Sequence, residues 1–482
     1  MTTQRTGSVS QGDALDPDNA SWRLGLGTLL QGLNSSMIAV AIGSISLSFP
    51  DASAMPWLVS ALYFTAAVGS PTFGHLSDLF GAKRIYDIGL AITLMASILG
   101  PLSPNIWILI LARALLGLGT SAQSPAAIAM VIHLAKTRHT SSSAAVGVIS
   151  LLGQVSAAIG PLIGGIVIVA FGWHWIFWIN IPLIVNAYLW SRKVPSTSAK
   201  DFDVSDASTS TRTARRHGMF PSIDPCGIAL FCVALIALIY ALLGSSTPLA
   251  ILGLCVSSIC FALFYCQERR APRPFIDFAF ISSHPTVTYV YVRTILVNIA
   301  FYIVFYGIPQ WLESRQGLNA AQAGLLLFPN FLAGVITTRL ASSRLTSFTP
   351  PQLRRIGSLL LGGSALMSML LFHFGMHPLI LFATFLLGTP SGFNNMGNQL
   401  ELNRTVRPQQ LGQATGMFRT SQFIGAAIST PLVFHILQIN STVSGGDLLM
   451  IAIVAVCIIV CMLDLLHHHL QESRHSSVSK KR

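Results

Sequence analysis

Fourteen apolar runs, separated by short polar or Gly/Pro-rich breaks, dominate the chain. They fall at residues 23–48, 56–76, 85–101, 105–132, 142–170, 174–191, 224–244, 248–266, 286–312, 321–340, 356–374, 378–400, 411–438 and 446–466. Most are close to the roughly 20 residues an α-helix needs to cross the hydrocarbon core of a bilayer. Lipid offers the backbone no water, so a spanning segment must satisfy its own N–H and C=O groups as a helix. The pattern predicts an all-α membrane protein with fourteen transmembrane helices. An even number places both termini on one side.

The placement of basic residues tests that number. Of the 29 Lys and Arg, 25 fall in segments on the side of the N-terminus. One, Arg315, falls on the other side, and Arg113, Arg293 and Arg419 lie within runs. Cytoplasmic loops carry the excess of Lys and Arg, so both termini are expected in the cytoplasm and the chain in the plasma or inner membrane. A missed helix would scramble this alternation downstream.

Composition closes the soluble alternative. Only 10% of residues are charged and 52% are hydrophobic, with a mean hydropathy of +0.64, against roughly 25% charged in soluble domains. The net charge of +12 is dispersed between runs and forms no aromatic-interleaved basic face, so no nucleic-acid partner is expected. Residues 1–21 are polar, with no short apolar stretch leading to a small-residue cleavage site, so the first run is expected to stay as a span. The seven cysteines lie in or beside apolar runs without a CxxC pair, which reads as small buried hydrophobes. Neither metal nor cofactor is expected. No Ser/His/Asp set and no GxxxxGK[ST] loop occurs, which argues against an enzyme and against ATP as the driving force.

The runs group into larger units. Residues 192–223 are Ser/Thr-rich and charged, as a flexible cytoplasmic linker would be. The pair of runs in 224–266 holds five of the seven cysteines and no midspan charge. Without that pair, six runs precede and six follow. The expected organisation is a tail over 1–21, a six-helix bundle over 22–191, the linker, a two-helix insert over 224–266 and a loop over 267–285. A second six-helix bundle over 286–466 and a basic tail over 467–482 complete it. A faint repeat agrees: Gly147, Ser156 and Gly160 in the fifth run are spaced as Gly416, Gly425 and Ser429 in the thirteenth, and Pro161 and Pro431 follow. Duplicated units with a midplane site between them are a common transporter plan.

Three segments carry more specific information. Between the second and third runs stands GHLSDLFGAKR, residues 74–84. Gly74 and Gly81 suit close helix approach and a tight turn, while Asp78, Lys83 and Arg84 can form bonds that break and reform as bundles rock. An ordinary charged turn would look the same. The fourth run contains LILARALLGLGTS with Arg113 inside the span, where a charge costs about 2.5–3.5 kcal/mol and usually faces protein or a cavity. A snorkelling arginine is the plainer reading. The fifth run ends IGPLIGGIV, where Pro161 permits a kink and Gly147, Gly160, Gly164 and Gly165 permit close packing.

These segments resemble the loop signature, the arginine motif and the antiporter motif of the major facilitator superfamily. Ala82 stands where a basic residue is common, Leu116 where a Gln is common, and Ser156 replaces one Gly. WHWIFWINIP (173–182) and FYGIPQWLE (305–313) are similar to the fourteen-helix drug:proton antiporter branch. The resemblance implies two six-helix bundles that rock around a central cavity, with a small-molecule substrate, the lipid bilayer and protons as partners and a monomeric chain. It implies conformational roles for Gly74, Asp78, Gly81, Lys83, Arg84 and the Gly147–Gly165 stripe, with Arg113 tuning the field of the cavity.

Candidate substrate contacts come from polar faces within runs. Asn298, Tyr302, Tyr306 and Gln310 recur every four residues on one helix face, with Phe301 and Phe305 beside them. Such aromatic edges suit apolar or cationic ligands. Asn394, Asn395 and Asn398 add a second polar face, and Asn34, Met37 and Gln123 complete the set. Hydrogen bonds between helices would leave the same pattern without ligand contact.

The branch commonly has an Asp where this chain has Asn34. All seventeen acidic residues are expected in loops, tails or helix ends, among them Asp87, Glu313, Glu401 and Asp464. A proton could then be carried by Asp78, by Glu313 or by His133, or transport could run without one. The leading expectation is export of amphipathic or drug-like compounds by proton antiport. A proton-independent uniporter or lipid-moving facilitator of the same fold is the alternative, and a non-transporting sensor or scaffold the second.

Overall fold

The computed structural model describes residues 17–49, 54–138, 140, 143–194, 224–243, 247–271, 276, 278–343, 348–374, 376–406, 411–438 and 445–479. Every regular element among them is helical. The first set comprises α1 (Pro17–Met37), α2 (Ile42–Ser48), α3 (Met55–Phe80), α4 (Ala82–Leu99), α5 (Ile106–Thr137) and α6 (Ser143–Phe171). It ends with the short α7 (Trp175–Trp178) and α8 (Asn180–Ser191). The middle pair is α9 (Pro225–Leu243) and α10 (Thr247–Glu268). After α11 (Phe278–Ser283) come α12 (Pro285–Gln316), α13 (Ala320–Ser343), α14 (Pro350–His373), α15 (His377–Thr405), α16 (Leu411–Gln438) and α17 (Gly445–Ser479).

Among the described residues, nine helices are long and apolar enough to cross a membrane, or ten if the bent pair α1–α2 is one span. The four remaining runs are helical too, as α3, α4, α7–α8 and α15, but shorter or more polar. The first run is not one rod. It passes from α1 through a 3₁₀ turn at Ile38–Val40 into α2, with a bend of 65°.

Two expectations about local structure change. The loop expected over 74–84 shrinks to a single residue, Gly81, at φ 91°. Gly74 lies inside α3, and a Cβ there would meet nothing among the described residues, so Gly81 makes the turn and no close approach at Gly74 is seen among them. Asp78 sits in the last turn of α3, and its side chain lies outside the described residues. At the other end of the chain the helix does not stop where the apolar run does. Helix α17 continues through the expected tail to Ser479, because His, Leu, Gln and Glu at 467–472 neither break a helix nor interrupt its hydrogen bonds. Asp464 therefore lies well inside a helix rather than at its end.

Packing divides the helices. Helices α1, α3, α4, α5, α6 and α8 pack on one another, as do α12 to α17. The two groups meet along α3 against α16 and α6 against α13. The pair α9–α10 packs mainly on itself and touches α3 and α16 through α9. Its α10 exposes Ile251, Leu252, Leu254, Ile259 and Leu263, an apolar face that suits lipid.

The apolar cores are distributed unevenly. One cluster spans both groups, running from Leu33–Phe49 and Leu58–Tyr63 to Ile299–Leu312, Phe331 and Leu449. At the opposite ends each group has its own cluster. One gathers Ala20, Leu24, Tyr86 and Met130, the other Phe280, Val290, Leu402 and Phe418. The groups are thus fused at one end and separate at the other.

Small residues make the fusion possible. A Cβ on Gly165 of α6 would lie 2.7 Å from the Ala321 Cα of α13, and one on Gly324 of α13 would collide with the Pro161 carbonyl of α6. Gly160 and Gly164 similarly receive Ser36 and Met37 of α1. A Cβ on Gly147 would meet nothing. Overpacking a tight contact costs about 1–3 kcal/mol. Gly165→Leu should therefore destabilise the folded protein by about that amount in reversible unfolding from bicelles, while Gly147→Leu should unfold as wild type does.

Candidate functional site

A cavity of about 240 Å³ lies between the two groups, beside the fused end. Helices α1, α6, α12, α13, α15 and α16 line it. Its lining includes the aromatic residues Phe301, Tyr302, Phe305, Phe331 and Phe423 and the neutral amides Gln154, Asn298, Asn330, Asn395, Asn398 and Gln422. Among the described residues, no acidic or basic side chain lines it. The aromatic rings brace one another, with Phe305 and Phe331 edge-to-face at 5.2 Å and Tyr63 and Tyr302 at 5.0 Å.

Of the residues expected to contact substrate, Asn298, Phe301, Tyr302, Phe305, Asn395 and Asn398 line this cavity. Tyr306 lies behind it, where its hydroxyl donates to the Ser35 carbonyl at 2.9 Å and accepts from the Tyr63 hydroxyl at 2.8 Å. These bonds join α12 to α1 and α3 across the two groups. Gln310 donates to the Tyr306 carbonyl. Met37 is packed against Gly164. Gln123 is buried between α5 and α4, donating to Thr93 Oγ1 at 3.3 Å. Asn330, Gln154 and Gln422 escaped the sequence reading. Their one available signal was a lone amide inside an apolar run, which in Asn330 follows directly on Pro329.

Asn34 is committed to its own helices. Its Nδ2 donates to Asn180 Oδ1 at 3.0 Å, and Asn180 Nδ2 donates back to Asn34 Oδ1 at 2.9 Å. Asn180 also donates to Ser97 Oγ at 3.2 Å. Arg113, only 1% exposed, does not reach the cavity. Its Nη1 donates to the Asn34 carbonyl at 2.9 Å and its Nε to the Leu58 carbonyl at 3.2 Å. It thereby ties α5 to α1 and α3 through backbone.

A second buried arginine has a different solution. Arg293 of α12 is fully buried. Its Nε donates to Asp464 Oδ1 at 2.9 Å, and its Nη1 to Asn398 Oδ1 at 2.9 Å. Its Nη2 donates at 2.9 Å to both Ser358 Oγ and Asn394 Oδ1. Tyr289 donates to the same Asp464 oxygen at 2.6 Å, and Arg354 pairs with Glu401 at 2.7 Å while lying over the Tyr289 ring. The expectation that Asp464 lies at a helix end is thereby corrected: it stands within α17, paired with a fully buried cation. Because Asn398 also lines the cavity, this ion pair stands directly behind the cavity wall.

The remaining conformational candidates lie apart from the cavity. Lys83 donates to Ser191 Oγ at 2.8 Å and approaches Asp87 at 3.5 Å. Glu313, near the end of α12, rests one carboxylate oxygen against Gly43 and leaves Oε1 without a hydrogen-bond partner among the described residues. His133 lies near the C-terminal end of α5.

Residues 24–430 match the family model described as Major Facilitator Superfamily. The chain belongs to the Major Facilitator Superfamily. Within the superfamily it is 28% identical over 452 residues to an uncharacterised MFS-type transporter, YwoD, of Bacillus subtilis, covering 89% of this chain and 94% of that one. It is 22% identical to the multidrug efflux pump SdrM of Staphylococcus aureus, covering 87% and 89%. Among solved structures, the nucleoside transporter NupG (D323A mutant) aligns with a TM-score of 0.63 at 12% identity over 93% of this chain and 98% of that one. At that identity the likeness concerns the fold alone. Membership makes the chain a multi-pass membrane transporter rather than an enzyme.

Removing one partner of a buried ion pair costs about 3–5 kcal/mol, because it strands the other charge. Arg293→Met should destabilise the transporter by about that much. The double variant Arg293→Met with Asp464→Leu should recover most of the loss in the same unfolding measurement.

Proposed function

We propose that this transporter exports small amphipathic, drug-like compounds by alternating access, with proton antiport as the driving reaction. The observation that carries the reading is the cavity: lined by aromatic rings and neutral amides, and walled by both helix groups. Such walls accept many apolar ligands and orient them weakly, which suits the multidrug names carried by several relatives. The division into two six-helix bundles, 22–191 and 286–466, with 224–266 inserted between them, is part of this reading.

The excess of Lys and Arg on the side of the N-terminus assigns that side to the cytoplasm. The fused end of the groups is then external and the separated ends cytoplasmic, so the cavity loads from within. Release requires the external cluster to part, breaking the Tyr63–Tyr306 bond and the 3.1 Å bond from Ser60 to the Ala427 carbonyl. The cytoplasmic clusters close in turn, with Asp78, Lys83 and Arg84 as the latch.

Asp464 is the proton site of this reading. It faces Arg293 and Tyr289 of α12 and Ser358 of α14, with Arg354 and His467 on the two faces of Tyr289 and Cys461 one turn before it on α17. Its partner Arg293 also bonds Asn398 on the cavity wall, which links this acid to the substrate site. A second reading, proton-independent export, is favoured by Asn34: a carboxylate common at that position in the branch is replaced by an amide already paired with Asn180.

Dye export from proteoliposomes, with and without an imposed pH gradient, separates the two. Proton antiport requires wild-type flux to rise at least tenfold with the gradient and Asp464→Asn to lose that rise. Gradient-independent flux would leave the second reading standing. Asp78→Asn should reach the membrane in normal amount and export at less than a tenth of the wild-type rate. Wild-type flux in that variant would remove the latch.

A further inference from the structure

Asn330 is 1% exposed and lines the cavity, yet neither its Oδ1 nor its Nδ2 has a hydrogen-bond partner among the described residues. A buried polar group left unmade carries its full desolvation penalty, and here a donor and an acceptor of one amide both stand open. Four neighbouring amides are engaged. Asn298 donates to the Thr294 carbonyl, Asn398 accepts from Arg293 and donates to Thr294 Oγ1, and Asn395 accepts from Gln422.

The position of Asn330 is fixed from two sides. Gly388 of α15 lies so close that a Cβ there would collide with the Asn330 carbonyl, and Pro329 restricts the backbone just before it. The following residue is Phe331, which meets Phe305 and Phe301 at 5.2 and 6.4 Å. An open amide thus stands at the edge of an aromatic wall. A carboxamide or lactam offers the complementary donor and acceptor side by side, and the protein already builds one such reciprocal pair between Asn34 and Asn180.

We propose that Asn330 is the specificity-determining residue of the cavity, pairing with neutral aromatic compounds that bear a carboxamide or lactam edge. The ligand's ring system stacks among Phe301, Phe305 and Phe331, and its amide meets Asn330. Neutrality follows from the lining, which among the described residues holds no charge to compensate a buried ion. The inference deepens the export reading and rests on it.

The test uses the purified full chain in lipid nanodiscs and two probes of nearly equal shape, 2-naphthamide and 2-acetylnaphthalene. The ketone keeps the acceptor and loses the donor. Wild type should bind the amide about tenfold more tightly, equivalent to about 1.4 kcal/mol. Asn330→Leu and Asn330→Ala should bind both probes alike, and Asn330→Leu should melt no lower than wild type, since it removes an unpartnered amide. A preference that persists in both variants, or is absent in wild type, overturns the assignment while export of both probes leaves the transport reading intact. An Asn330→Leu protein that melts well below wild type, with Asn330→Ala also destabilised and still preferring the amide, makes the side chain structural and overturns it as well. If neither probe binds or is exported, the transport reading falls and takes the assignment with it.

Discussion

Lipid gives a polar group nothing to bond with, so each polar atom within the helices must find its partner in the protein. That constraint arranges this molecule. Arg293 would be expensive anywhere in the hydrocarbon core, and it is tolerated because donors on three nitrogens meet Asp464, Asn398, Asn394 and Ser358. Those partners come from three helices, α17, α15 and α14. Satisfying one guanidinium therefore positions three helices around α12. The same requirement pairs Asn34 with Asn180 and so fixes α1 against α8 and α4.

Against this polar framework, apolar packing does something different. Between helices already in lipid, apolar surface gains little from leaving one hydrocarbon environment for another, and close contact of small residues supplies the attraction. Gly160, Gly164, Gly165 and Gly324 supply it where α6 meets α1 and α13. The shared cluster forms only at the end where those glycines bring the groups together, and Tyr63, Tyr306 and the Ser35 carbonyl close it with two hydrogen bonds. At the other end no comparable run of close glycine contacts joins the groups, and each keeps its own core. The cavity lies where the shared cluster gives way.

The helical fold was legible because its period and length are written in one dimension: apolar runs of spanning length and an asymmetric distribution of Lys and Arg. Part of the cavity was legible for the same reason. Asn298 and Tyr302 share a face at a spacing of four, and a polar face on a lipid-immersed helix must point inward. The limit of that logic shows at Tyr306, one turn further along the same face, which joins the two groups instead of lining the cavity. Asp464 was misplaced because the end of an apolar run was taken as the end of a helix, while α17 continues on polar residues with good helix propensity. Asn330 had no periodic partner, so only the meeting of α13 with α15 distinguishes it from any buried amide.

The two buried arginines show two ways of holding a guanidinium among helices. Arg113 is held by the backbone carbonyls of Leu58 and Asn34, which carry only partial charge, and its Nη2 lacks a partner among the described residues. Arg293 faces a full carboxylate. The first group therefore carries a buried cation without a counter-ion among the described residues, and the second a nearly neutral pair. Among the described residues the cavity lining between them is neutral. Asn330, whose donor and acceptor both lack a partner there, is then the side chain that can discriminate among compounds the aromatic residues accept alike.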